Sequence, residues 1–235
     1  MTGICVALSM IVLWLTSVTY ALTQIKIHGL MDLIQNLGWV IWIQLLCVGL
    51  FITTHDACHG TVAPAHPRIN LWIGRISAFL YAGFYFDGMA QKHMAHHRHV
   101  GQKDDPDFHS TRPGDAGLIR WMLRFFSNYL TLYQFILMSA IAQFLMHGIH
   151  LKEPNVLGFW ALPAVLSALQ LFFFGTYLPH RTKDSAPFLD HHHARNLSMP
   201  RWLSFMTCFH FGAYHHMHHL KPEIPWYRLP AKHDF

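Results

Sequence analysis

Four long runs without a charged side chain limit most strongly what this chain can fold into. They cover residues 1–25, 33–55, 125–151 and 154–180, and each can hold the ~20 apolar residues that cross a bilayer as a helix. Charged residues make up 12% of the chain, about half of the roughly 25% of soluble proteins. We therefore predict an all-α integral membrane protein, a single domain over residues 1–235, with four transmembrane helices near 3–22, 34–54, 125–147 and 156–178.

Shorter apolar stretches lie between these runs. Residues 69–86 and 197–211 each contain an arginine and are too short to cross a bilayer, so they predict interfacial or re-entrant helices. The first long run lacks the basic start of a cleaved signal peptide, which favours a retained span.

The basic residues indicate how the spans are oriented. Two of the 17 lysines and arginines, Lys26 and Lys152, fall in loops on one side of a four-span arrangement, which leaves 15 on the other side. Positively charged loops stay in the cytoplasm, so both termini and the two large loops are predicted to be cytoplasmic. The protein is expected in the cytoplasmic (inner) membrane, where its basic face meets anionic lipids.

Three histidine clusters stand on that same predicted side. His55 and His59 are four residues apart, and His93/His96/His97 and His215/His218/His219 repeat a spacing of three and four residues. Residues at these spacings share one face of a helix. Eight imidazoles are too many for one tetrahedral zinc and suit two metal ions of higher coordination number. Histidine alone does not distinguish iron, copper, zinc and nickel.

A ninth ligand is sought among the other histidines. His180 is the preferred candidate because it ends the fourth span on the same side, and His192 and His210 compete for the role. His147 ends a span on the opposite side and is excluded.

Nearby carboxylates are candidates to support the ligands, since a ligating histidine usually donates its other N–H to a carboxylate or carbonyl. Asp105 and Asp107 are candidates, although residues 104–107 are equally typical of a polar turn. Asp56, within the first cluster, is the preferred one. No separate catalytic residue is predicted.

Other functions are less well supported. No helix-turn-helix, zinc-finger or RNA-binding pattern indicates a nucleic-acid partner, and the four cysteines show no CxxC spacing. A membrane metal transporter should carry ionisable residues within its spans, whereas the predicted spans contain no Asp, Glu, Lys or Arg.

The HxxxH, HxxHH and HxxHH boxes between paired spans resemble those of the membrane fatty acid desaturase/hydroxylase superfamily. Within it, the flanking sequences are similar to those of the bacterial β-carotene ketolases. The resembling stretches are 51–62 (FITTHDACHGTV), 92–101 (KHMAHHRHVG), 104–108 (DDPDF), 174–181 (FGTYLPHR), 194–195 (AR), 208–212 (CFHFG) and 225–230 (PWYRLP).

The resemblance implies a non-haem di-iron oxygenase. It implies two Fe²⁺ ions, dioxygen as co-substrate, a ferredoxin-type electron donor and a carotenoid drawn from the bilayer. The implied reaction introduces keto groups at C4 and C4′ of β-ionone rings by successive hydroxylations, converting β-carotene to echinenone and canthaxanthin. A carotenoid hydroxylase, an acyl desaturase and an alkane hydroxylase would use nearly the same ligands and stay as alternatives.

Overall fold

The computed structural model describes residues 1–109, 116–182 and 187–232, and every regular element in these ranges is helical. A single 3₁₀ turn, Trp226–Arg228, precedes the last helix. The helices are α1 Thr2–Gln24, α2 Leu30–Gln35, α3 Leu37–Cys58, α4 Pro67–Ala82, α5 Phe86–His99, α6 Leu118–Tyr129, α7 Leu132–Gly148, α8 Glu153–His180, α9 Arg201–Cys208, α10 His215–Leu220 and α11 Leu229–Lys232.

Three helices, α1, α3 and α8, are long and apolar enough to cross a membrane. They correspond to the first, second and fourth predicted spans. The prediction of a continuous helix over 125–147 was wrong, because the chain bends by 81° between α6 and α7. Counting that bent pair as one span gives up to four spans by length and composition.

The bend has a local cause. Thr131 is extended, and its hydroxyl accepts a hydrogen bond from the backbone N–H of Gln134, which caps a new helix. The side chain of Gln134 then donates to the carbonyl of Ala82 at 2.7 Å and ties the start of α7 to the end of α4. Threonine followed three residues later by glutamine is the sequence signature of a helix start, and it outweighs the apolar run.

Helix α3 lies at the centre of the fold and packs against α1, α4 and α8. Glycines allow close approach, since a Cβ at Gly49 would overlap Met10, and one at Gly74 would overlap Phe86. Polar side chains at the edge of this apolar core also link the helices. Gln44 donates to Gln170 at 2.6 Å, and Gln170 donates in turn to two backbone carbonyls of α9. Hydrogen bonds of this kind hold helices together where the hydrophobic effect contributes little.

Helix α8 extends over 28 residues, but two segments of it are π-helical rather than α-helical. Two π-helical segments, Leu157–Ala161 and Phe172–Tyr177, interrupt the α-helical hydrogen bonding. Pro179 cannot donate a backbone hydrogen bond, and the wider turn just before it accommodates the missing bond. The helix therefore continues as far as His180.

The two short apolar stretches also form helices. Residues 69–86 contain most of α4, which has 16 residues and ends at Gly83 in the left-handed conformation (φ +64°). Residues 197–211 contain α9, which has eight residues. Both are shorter than a span, as predicted, and their position relative to a bilayer stays a prediction.

Candidate metal centre

The first histidine cluster lies where α3 ends. His55 is in the last turn of α3, and His59 is the residue that caps it. The chain then reverses at Gly60 (φ +74°), and both the N–H and the hydroxyl of Thr61 donate to the carbonyl of Asp56. The cap and the turn leave the two imidazoles beside the other clusters rather than in solvent.

The second and third clusters are helical, as their spacing predicted. His93, His96 and His97 lie on α5, and His215, His218 and His219 lie on α10. A turn with unusual backbone conformation leads into α10, because Phe209 and His210 have φ of +46° and +71°. Phe209 is buried against Trp226, with 5.0 Å between the ring centres, and this packing anchors the turn.

All nine predicted ligands meet in two adjacent groups, each with ligand atoms within 4.8 Å of one another. The two groups are in contact, since the rings of His97 and His219 stack with 4.4 Å between their centres. We call them the five-histidine group (His55, His59, His93, His97 and His218) and the four-histidine group (His96, His180, His215 and His219).

The distances between ring nitrogens fit metal ligation. The Nε2 atoms of His59 and His93 are 2.7 Å apart, and those of His97 and His218 are 3.1 Å apart. In the four-histidine group, Nε2 of His215 lies 2.8 Å from that of His180 and 3.1 Å from that of His219. Metal–nitrogen bonds are about 2.1 Å long, so two ligands at a right angle lie about 3.0 Å apart.

The chemistry of the donor set agrees with this geometry. A ligating imidazole must be neutral. Burial lowers the pKa of His59 to about 4, and burial with neighbouring histidine charges holds the pKa values of His93, His218 and His219 well below the usual range. These rings are therefore unprotonated at neutral pH, and the residues present fit two bound metal ions.

His96 differs from the other ligand candidates. Burial would lower its pKa, but the charges of Asp107 and Asp105 and the hydrogen bond to Asp105 outweigh burial and raise it to about 8. The ring Nδ1 of His96 lies 2.9 Å from Asp105, whose carboxylate also accepts the backbone N–H groups of Gly101 and Asp107 at 2.8 Å. Asp105 thus orients His96, and a metal ion bound at Nε2 would displace the proton that this raised pKa leaves on the ring at neutral pH.

The preference for Asp56 as the supporting carboxylate is not matched by the contacts. Its carboxylate lies 3.9 Å from Nδ1 of His55 and within 3.3 Å of the backbone N–H of Trp226, so it holds the C-terminal segment more directly than it holds a ligand. Asp107 also lies 3.9 Å from Nδ1 of His96, and its carboxylate accepts the hydroxyl of Tyr129. Asp105 makes the direct contact with a histidine, although the sequence was equally typical of a polar turn at residues 104–107.

The structure distinguishes the three candidates for the ninth ligand. His180 belongs to the four-histidine group, and its Nδ1 lies 2.8 Å from the carbonyl oxygen of His193. His210 faces away, with its Nδ1 2.9 Å from the hydroxyl of Ser204. His192 lies at the edge, 5.9 Å from His219 between ring centres. His147 is exposed and lies in neither group.

A cavity of about 90 Å³ opens onto both groups. Histidines of both groups line it, namely His55, His93, His96 and His215. The remaining wall is mostly apolar and aromatic, with Phe51, Phe84, Phe125, Phe126, Leu171 and Phe211. Sequence analysis did not identify this wall, because its residues come from five separate stretches of chain.

Comparison with known proteins shows which families the chain resembles. The family model for fatty acid desaturases matches residues 35–153 and 129–235. A β-carotene ketolase of Paracoccus sp. (strain N81106 / MBIC 01143) is 42% identical over 233 residues, which cover 98% of this chain and 91% of the relative. A β-carotene ketolase of Paracoccus sp. (strain PC1) is 46% identical over 185 residues, covering 79% and 74%.

A zeaxanthin 4-ketolase of Chlamydomonas reinhardtii is 37% identical over 238 residues, covering 97% of this chain and 52% of the relative. No solved structure matches the chain. The shared extent and the family model together show that this chain belongs to the fatty acid desaturase family and, within it, to the family of the β-carotene ketolases.

Proposed function

We propose that this protein is a carotenoid oxygenase that introduces keto groups at C4 and C4′ of β-ionone rings. The observation that carries the proposal is the apolar cavity ending at two adjacent histidine groups. Similarity to ketolases over 98% of the chain supports the choice of substrate. β-Carotene would be converted through echinenone to canthaxanthin.

The cavity suits such a ring. A β-ionone ring is apolar and offers no hydrogen-bonding group, so its recognition depends on shape and apolar contact. The aromatic side chains Phe125, Phe126 and Phe211 supply that surface, and they line the same cavity as His96 and His215. A ring seated among them presents its methylene edge to the histidines, and orientation of the reacting carbon is the main contribution of the chain.

Two hydroxylations of the same carbon and one dehydration account for the ketone. In each step one atom of dioxygen enters a C4–H bond to give C4–OH, the other leaves as water, and an external donor supplies two electrons and two protons. The second step gives a gem-diol, which loses water to form the ketone. When bound, two Fe²⁺ ions would supply the redox chemistry that activates dioxygen. A ferredoxin-type protein is the proposed donor.

The side chains hold and shield this centre. Nine imidazoles would bind the ions, with Asp105 and the carbonyl of His193 fixing two of the rings. Six of the nine are less than 9% exposed, so little water reaches the reacting atoms. We place the centre at the cytoplasmic face of the inner membrane, because His55 ends the second span on the side of the basic loops.

Pigment analysis tests the proposal. The chain is expressed in cells that accumulate β-carotene, and the pigments are separated and identified by mass. We expect echinenone and canthaxanthin with the unchanged chain and with the control His66→Ala, whose side chain is exposed and outside both groups. His59→Ala should give neither. A parallel culture accumulating zeaxanthin reports whether hydroxylated rings are accepted.

Other products would identify the rivals. Hydroxylated carotenoids without ketones would indicate a ring hydroxylase. Unchanged pigments with new double bonds in acyl chains would indicate a desaturase. Unchanged pigments and acyl chains, with altered metal content of the cells, would indicate a transporter and refute the proposal.

A further inference from the structure

A third cluster of metal-binding side chains lies outside both histidine groups. Asp190, His191 and His192 follow one another in the segment before α9, and each offers a ligand atom within 4.8 Å of the others. We call these three residues the Asp190 cluster. A carboxylate with two imidazoles is a donor set that binds divalent transition metals. The proposed oxygenase reaction uses none of the three.

The Asp190 cluster is held in place by its own contacts. One oxygen of Asp190 accepts the backbone N–H of His192 at 2.9 Å, and the other lies 2.8 Å from Nε2 of His216. Each carboxylate oxygen can accept a second partner, so these contacts leave room for a cation. The Nδ1 of His192 is buried and has no hydrogen-bond partner among residues 1–109, 116–182 and 187–232. Such a nitrogen is costly unless something binds it.

Exposure decreases from the Asp190 cluster to the metal centre. His191 is exposed, His192 is partly buried, and His219 of the four-histidine group is 4% exposed. The ring centres of His191 and His192 are 4.2 Å apart, and those of His192 and His219 are 5.9 Å apart. A continuous series of imidazoles therefore leads from the surface to a buried ligand.

A buried centre needs such a series. A divalent cation loses its hydration shell on the way in, and a bare charge in a low-dielectric interior is very unfavourable. Donors along the path replace water molecules one at a time. The same segment also positions a ligand, because the carbonyl of His193 contacts His180 of the four-histidine group. The cluster thus adjoins the group it would supply.

We propose that Asp190, His191 and His192 form an accessory divalent-metal site that receives ions from solution and passes them to the four-histidine group.

Zinc binding tests the site. Purified protein with its centre loaded is dialysed against micromolar Zn²⁺, and iron and zinc are both counted. The unchanged chain and the control His66→Gln should hold one zinc in addition to the iron. The double variant Asp190→Asn/His191→Gln should lose that zinc and keep its iron. Equal zinc in the variant and the control would overturn the site and show adventitious binding only.

Loading kinetics test the delivery. Metal is removed with a chelator, Fe²⁺ is returned without oxygen, and incorporation is followed with time. The double variant should load several-fold more slowly than the His66→Gln control and reach the same final iron content. A loading rate equal to that of the control would overturn the delivery role. Because the readout is metal content, neither result depends on which substrate the enzyme oxidises.

Discussion

Replacement of Asp105 should weaken metal binding more than replacement of any other carboxylate near the centre. Its side chain is 2% exposed and accepts three hydrogen bonds, from His96 and from the N–H groups of Gly101 and Asp107. Asp105→Asn can keep the bonds to His96 and Asp107 through its carbonyl oxygen. It loses the negative charge and turns an N–H₂ group toward the N–H of Gly101.

The expected loss of metal affinity follows from these three hydrogen bonds. A hydrogen bond to a charged group contributes about 1.5–3 kcal/mol, against about 1 kcal/mol for a neutral pair. Asp105→Asn should therefore reduce metal affinity of the four-histidine group about tenfold, or ~1.4 kcal/mol. Asp105→Ala removes every bond and should reduce the affinity about 100-fold, or ~2.7 kcal/mol.

The assay is competition for Fe²⁺ between metal-free protein and a chromophoric chelator. Asp104→Asn is the matched control, because this neighbouring carboxylate is exposed and should leave affinity unchanged. Asp56→Asn should have a smaller effect than Asp105→Asn, since Asp56 lies 3.9 Å from His55. An affinity of Asp105→Ala within twofold of the control, or a larger loss for Asp56→Asn, would refute the assignment.

Three further predictions concern other parts of the molecule. His180→Ala should abolish ketone formation at matched protein levels, whereas His147→Ala should have a mild effect, and robust activity of the first would remove His180 from the centre. His210→Gly should leave the midpoint of thermal unfolding nearly unchanged. Glycine adopts the left-handed conformation (φ +71°) without strain, which stabilises the fold by about 1 kcal/mol, and loss of the side-chain hydrogen bond destabilises it by about 1 kcal/mol. His210→Val should lower it by several degrees, and equal midpoints would contradict this account. Reporter fusions at residues 28 and 152 should both report the outer side of the membrane, and a cytoplasmic signal at either would disprove the four-span topology.

The metal centre was more predictable than the path of the chain. Ligand spacing is a local property, so the helical clusters on α5 and α10 could be recognised from sequence alone. The common predicted side of the membrane favoured His180 over His147 as the ninth ligand, and the structure brings His180 into the four-histidine group. Both predictions use features of the sequence that can be recognised without knowledge of the tertiary contacts.

Other features depend on contacts that sequence does not reveal. The break before α7 arises from a cap at Thr131 and a bond from Gln134 to α4, and hydropathy over the same residues hides it. The choice between Asp56 and Asp105 depends on which carboxylate the following turn directs at a histidine. Proximity along the chain favoured Asp56, whereas Asp105 makes the shorter contact with a histidine.

The division of nine ligands over shared helices has a consequence for how the centre assembles. Helix α5 gives His93 and His97 to one group and His96 to the other, and α10 is divided in the same way. With six residues, α10 is too short to be stable by itself, so an ion bound by its histidines would stabilise it. The second ion then meets helices that are already ordered. We expect positive cooperativity between the two groups, with chains holding a single ion scarce at every metal concentration.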